Sequence, residues 1–185
     1  MIKLFSLLVA SLILVIIALG SGAYNMAATE KHWGITEKII EWVRESSVEA
    51  RAKDLQVPQL DNAEMLLKGA EHYHAMCTAC HLAPGMSPTE LSAGLYPQAP
   101  VFYQREAIND QAEKQHLAKK YFWVIKNGLK MTAMPAWGLS HDDHSIWATT
   151  AFVLKMRKMT QEEYENLIHS AEDQEHHHDH NGHSH

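Results

Sequence analysis

Cys77-Thr78-Ala79-Cys80-His81 contains both cysteines of this 185-residue chain, at the C-x-x-C-H spacing of a covalent c-type haem attachment site. In that chemistry each thiol adds across a haem vinyl group, and the adjoining histidine binds the iron from one face. The same residues also read as a redox dithiol, a disulfide or half of a structural zinc site. A thioredoxin-like dithiol belongs beside a βαβ pattern, which this sequence lacks, and a zinc site needs further cysteine or histidine ligands at matched spacing. Haem attachment is the expectation for Cys77, Cys80 and His81.

A ligand for the opposite face of the iron stands in Met131-Thr132-Ala133-Met134-Pro135-Ala136-Trp137-Gly138, a stretch that proline and glycine mark as a loop. Pro135 restricts Met134 to an extended backbone, which projects its side chain away from the local chain. A thioether so placed stabilises ferrous iron and raises the reduction potential. Methionine also fills gaps in cores, and Met131 competes for the same role. Met134 is the expected axial partner of His81.

Helices must carry these two segments. Asp61 and Glu64 make a capping arrangement for a helix from Asn62 to about Met76, on which Leu66, Gly69, Tyr73 and Met76 recur at helical spacing. A glycine inside a helix costs about 1 kcal/mol relative to alanine, so a second backbone packed closely on Gly69 is the expected compensation. The crossing partner is the helix opened by Ser140-His141-Asp142-Asp143 and running to about Lys158, with Trp147 or Phe152 set against Gly69 and Tyr73. A middle helix spans about 110–127 and Gly128 ends it. A loop with Pro84, Pro88, Pro97 and Pro100 joins His81 to that helix. Ile35, Ile39, Ile40 and Val43 mark another helix within 30–55, one that packs on the domain or rests near a membrane. A last helix starts near Thr160 and fades by Ser170.

The first residues form an export signal or an anchor. Lys3 precedes an almost unbroken apolar run from Leu4 to Leu19. Ser21-Gly22-Ala23 offers the small residues a signal peptidase takes, while residues 4–23 just reach the roughly 20 needed to span a bilayer. Tyr24 and Trp33 suit the interface, and Lys3 with no basic cluster after it favours an N-terminus inside. A retained anchor is the expectation, with cleavage to a soluble periplasmic protein as the alternative. The expected organisation is anchor or signal peptide over 1–23, a linker with one helix over 24–60, a single domain over 61–170, and a disordered histidine-rich tail over 171–185.

Gly69-x-x-x-Tyr73-x-x-x-Cys77-x-x-Cys80-His81, the Met134-Pro135-x-x-Gly138 loop and the closing aromatic-bearing helix together resemble a class I cytochrome c. Tyr24-Asn25-Met26-Ala27-Ala28, Val57-Pro58-Gln59-Leu60, Gly94-Leu95-Tyr96-Pro97-Gln98-Ala99-Pro100 and Tyr121 to Gly128 are similar to exported, often membrane-anchored monohaem cytochromes grouped with the cytochrome subunit III of cbb3-type oxidases. The resemblance implies an all-α fold wrapped around one covalent haem c. It also implies that a proline carbonyl accepts the Nδ1 proton of His81, with Pro100 the first choice and Pro84 the second, and that Trp123 lines the haem or fills the core. An electron-transfer protein rather than an enzyme follows, either free or as a subunit of an oxidoreductase complex. Its donor and acceptor would be redox proteins.

The net charge is −6 and the pI about 6.1. Ten basic against twelve acidic residues over 61–170 leave no basic field for nucleic acid. Lys119, Lys120, Lys126 and Lys130 read as a docking patch for an acidic partner or as a solvated helix face. His72, His74, His141 and His144 read as surface or cap residues. In the tail, His176, His177, His178, His180, His183 and His185 suit Zn, Cu or Ni, or simply solubilise. Two function classes follow. The first is a one-electron carrier with His81/Met134 ligation in a respiratory or other extracytoplasmic chain. The second is a haem sensor or peroxidase in which Met134 is displaced from the iron.

Overall fold

Asn62 starts the helix that leads to the cysteines. Its Oδ1 accepts from the backbone N–H of Glu64 at 2.8 Å and of Met65 at 3.4 Å, so Asn62, not Asp61, is the cap of Ala63–Met76. The computed structural model describes residues 2–180, and the elements are α1 (Ile2–Gly20), α2 (Gly34–Ala52), α3 (Ala63–Met76), α4 (Thr78–His81), α5 (Glu90–Gly94), α6 (Gln111–Asn127), α7 (Asp143–Lys155) and α8 (Gln161–His180). Two single 3₁₀ turns, Phe102–Gln104 and Trp137–Leu139, lie between them. No strand occurs among the described residues, and the all-α class holds.

Helix α7 is the centre of the domain, with every residue from Ser145 to Leu154 buried. The hydroxyls of Thr149 and Thr150 donate to the carbonyls of Ser145 and Ile146 at 3.0 and 2.8 Å, so their burial leaves no donor unpaired. One side of α7 crosses α3 at Gly69. A Cβ on Gly69 would stand 2.0 Å from the Ala148 carbonyl oxygen and 3.0 Å from Phe152 Cβ, so the expected backbone approach is there. Phe152 is the aromatic on this side, 5.4 Å from the Tyr73 ring centroid. Trp147 turns the other way and stacks on Phe122 of α6 at 3.9 Å and 16°.

The caps set the remaining lengths. Asp110 Oδ1 accepts from Ala112 and Glu113 at the start of α6, and Asp142 from Ser145 at the start of α7. Helix α7 stops at Lys155, three residues before the expected Lys158, because Lys158 takes a left-handed φ of 59° and donates its N–H to Tyr103. Thr160 and Glu163 then cap α8 reciprocally. Tyr164, Ile168 and Ala171 bury one side of α8, and Tyr164 Oη meets Nδ1 of His74 on α3 at 2.8 Å. The helix runs past Ser170 to His180.

Helix α2 packs on α6 through buried Val48 and Ala52. Glu45 meets Lys120 at 2.6 Å and Glu49 meets His116 at 3.5 Å. Lys119 Nζ donates to the Lys53 carbonyl at 2.8 Å, and Lys126 meets Asp143 at 2.6 Å. Three of the four lysines read as a docking patch are thus engaged within the fold. Helix α1 is exposed along its length and is long and apolar enough to cross a membrane.

The Gly69 crossing is testable against helix propensity, which taken alone makes alanine better by about 1 kcal/mol. Overpacking costs about 1–3 kcal/mol, and a carbonyl oxygen 2.0 Å from the new Cβ puts Gly69→Ala at the upper end. Denaturant unfolding of the holoprotein should show a net loss of about 2 kcal/mol for Gly69→Ala, while Gly94→Ala, with nothing within 4 Å of its Cβ, should change stability by less than about 0.5 kcal/mol.

Candidate haem-attachment site

One helical turn carries the whole motif. Cys77 closes α3 and its carbonyl accepts from the N–H groups of Cys80 at 3.2 Å and His81 at 2.8 Å. Both cysteines are free thiols. Thr89, which caps α5, donates its hydroxyl to the Ala79 carbonyl at 2.5 Å and braces the turn from outside. After His81 the chain leaves through Leu82 at φ 59° and ψ 172°, a conformation that costs a non-glycine residue roughly 1–3 kcal/mol. Leu82 is buried and its carbonyl accepts from Tyr73 Oη at 2.7 Å, so the core holds that exit in place.

His81 is oriented by Pro100 and Phe102. Its Nδ1 lies 2.9 Å from the Pro100 carbonyl oxygen. A carbonyl can only accept, so Nδ1 carries the proton and Nε2 keeps the lone pair a metal needs. Pro100 rather than Pro84 is the partner. Phe102 stacks on the imidazole at 4.9 Å and 22°. Burial lowers the His81 pKa, opposed by the Pro100 bond and aided by Arg105, and a neutral ring is the ligating form.

These residues fit a covalently held haem better than a zinc ion. Burial, and then the neighbouring Cys80, push the Cys77 thiol up to about 12. Among the described residues no group of three or more His, Cys, Asp or Glu side chains could hold a metal ion. Met76, Cys77, Ile125, Trp137, Ile146 and Thr149 line a largely apolar cleft beside the motif. Tyr121 packs edge-on to Phe102 at 5.5 Å, and its hydroxyl is buried with no partner among the described residues, which fits a polar atom of a bound group. Cys77 and Cys80 would tether the haem and His81 would bind its iron.

The Met134 loop is braced by the end of α6. The Leu129 N–H donates to the Met134 carbonyl at 3.2 Å, and the Met134 N–H donates to Thr132 Oγ1 at 3.1 Å. Gly128, at φ 67°, lies against the Met134–Pro135 peptide, where a Cβ would be 2.8 Å from the Met134 carbonyl oxygen. Met131 is 75% exposed and adopts φ 60°. Met134 is half-buried.

Residues 64–153 match the family model described as cytochrome c oxidase, cbb3-type, subunit III. These residues are thus a c-type cytochrome domain of the kind that family describes. No curated protein and no solved structure matches the chain. The cytochrome is accordingly an electron-transfer protein carrying haem c, with an N-terminal apolar helix.

Other expectations fared unevenly. Trp123 is half-buried but belongs to neither core cluster, whereas Tyr121, Phe122 and Ile125 on the same helix do. His144 is exposed, but His72 and His141 are not simple surface residues: their rings meet at 5.5 Å, both line the cleft, and His72 Nδ1 is buried without a partner. His176, His177, His178, His180, His183 and His185 lie outside the residues whose side chains are described. Phe102 and Thr89 carried no sequence signal, because each acts on His81 or its turn through a tertiary contact rather than through spacing.

Burial, then His141 and Lys68, lower the His72 pKa from 6.5, with Asp142 opposing. A depressed histidine contributes stability above its unfolded pKa and loses it as pH falls through its native pKa. The melting temperature of the cytochrome should therefore fall as pH drops below 6.5, and His72→Gln should make that slope shallower. Equal slopes in calorimetry would remove His72 as a source of acid lability.

Proposed function

We propose that the cytochrome carries one electron at a time through a haem c bound by Cys77, Cys80, His81 and Met134, in a respiratory or other extracytoplasmic redox chain. Helix α1 stays in the membrane and the haem domain stands in the periplasm. The observation that carries this reading is the C-x-x-C-H turn, with His81 Nδ1 engaged by Pro100 at 2.9 Å, inside a domain of this cytochrome family. Bound there, the haem supplies a reversible one-electron centre.

The chain's own residues do the rest. Pro100 selects the His81 tautomer and aims Nε2 away from the protein carbonyl. Gly128 lets the Met134–Pro135 peptide lie on the end of α6, which supports Met134, rather than exposed Met131, as the second axial ligand. A thioether on that side favours the ferrous state. With His81 and Met134 both holding the haem, no open position would be left for a substrate, and such an arrangement supports a carrier over a sensor or peroxidase. The tail has only its imidazole-rich composition behind a metal-binding role, and it forms no part of this proposal.

Protein matured by the cytochrome c assembly machinery should hold one haem that survives acid-acetone extraction, and Cys77→Ala or Cys80→Ala should abolish stable attachment by mass analysis. Met134→Ala should remove the weak long-wavelength sulfur-to-iron absorption of the ferric state and lower the reduction potential, while Met131→Ala should change neither. Gly128→Ala should weaken the same absorption and leave the haem covalently attached. Loss of the band in Met131→Ala alone would move the ligand by three residues, and an unaltered band in both variants would transfer the reading to the sensor or peroxidase class.

A further inference from the structure

Helix α2 has two apolar faces, and the described residues cover only one. Val48 and Ala52 are buried against α6. Ile35, Ile39, Trp42 and Val43 recur at i, i+4, i+7 and i+8 and are 64%, 52%, 70% and 52% exposed, with Trp33 at 58% just before them. That spacing places the four on one face. The carboxylates of α2 are matched elsewhere: Glu37 accepts from Tyr96, Glu45 pairs with Lys120, Glu49 with His116, and Glu41 with Arg44. A contiguous exposed apolar stripe of this kind marks a contact surface.

The tether of α2 indicates what covers it. Helix α1 ends at Gly20. By Tyr24 the chain is already held to the domain: Tyr24 Oη meets His32 Nδ1 at 2.7 Å, the His32 N–H donates to Tyr96 Oη at 3.0 Å, and Tyr96 Oη donates to Glu37 at 2.5 Å. Tyr24 also packs edge-on to Trp33 at 4.8 Å. A loose linker over 21–33 would reach about 45 Å, but the four residues from Gly20 to this clamp reach only about 14 Å fully extended. The clamp thus keeps the start of α2 at the surface from which α1 emerges. Tryptophan and tyrosine favour the membrane interface, and a helix with an apolar stripe lies in its plane.

We propose that the face of α2 formed by Trp33, Ile35, Ile39, Trp42 and Val43 rests in the headgroup region of the bilayer that α1 enters. This contact rests on the reading of α1 as a retained anchor. Because α2 packs on α6, which carries Tyr121 beside the Phe102–His81 stack, the contact sets one orientation of the haem site relative to the membrane. Partners then meet the domain from a limited set of directions.

The full-length holoprotein is reconstituted in vesicles of equal parts phosphatidylcholine and phosphatidylglycerol, with a nitroxide on Ile39→Cys, Trp42→Cys or, as the aqueous reference, Arg51→Cys. The haem is kept ferrous, and an unchanged haem spectrum confirms the fold of each variant. The ratio of oxygen to water-soluble nickel-chelate accessibility should be severalfold higher at 39 and 42 than at 51. Equal ratios at the three positions, in protein that resists carbonate extraction, would overturn the α2 contact and leave the anchor standing. Release by carbonate would overturn the anchor reading and the contact with it. Labels shielded from both reagents, with spin–spin broadening between copies, would assign the stripe to a second copy of the chain and overturn the bilayer as its occupant.

Discussion

The contact on which the rest depends is the crossing of α3 and α7 at Gly69, where the Ala148 carbonyl oxygen occupies the space that a Cβ would need. Two helices can approach this closely only where one lacks a side chain, and the approach puts the Tyr73 and Phe152 rings in contact. Tyr73 then reaches forward to the Leu82 carbonyl. A packing contact in the middle of α3 is therefore continuous with the backbone that leaves His81. Because α3 ends at Met76 and Cys77 is its C-cap, the same crossing sets the position of the attachment turn.

The attachment turn needs little energy from its partners but much geometry. The Pro100 bond to His81 is a single hydrogen bond, worth on the order of 1 kcal/mol net, small beside a domain stability of roughly 5–15 kcal/mol. Its value lies in the tautomer it selects and in the ring orientation shared with Phe102. The Met134 loop follows the same logic, since Gly128 and Thr132 shape it through backbone contacts while adding little apolar burial. The interior between α3, α6 and α7 keeps a Tyr121 hydroxyl with no partner among the described residues, as suits a domain that is completed by a cofactor.

The lysines of α6 show how a charge pattern changes meaning in three dimensions. Surface ion pairs typically contribute about 0–1 kcal/mol, so Lys120 with Glu45 and Lys126 with Asp143 do not hold the domain together. They do align α2 and the start of α7 on α6, and they neutralise cations that a linear reading leaves free for a partner. Recognition of a redox partner thus has less to draw on from α6 than the spacing of its lysines suggests.

Much of the site was legible because it is encoded by near neighbours. C-x-x-C-H places two thiols and an imidazole on one turn, and Gly128 ends α6, both within a few residues of the atoms concerned. Gly69 and Tyr73 likewise announced a close crossing by helical spacing. The cap of α3 moved by one residue and α7 ended three residues early, because Asn62 and Lys158 were decided by hydrogen bonds to particular backbone groups. The choice of Phe152 over Trp147, the burial of His72 against His141 and the Tyr24–His32–Tyr96 clamp were decided only by the tertiary structure. Each joins residues that are distant along the chain or depends on which side of a helix meets its neighbour. Local spacing determines what a segment becomes; only the packed chain determines which of its side chains lose contact with water and what they then touch.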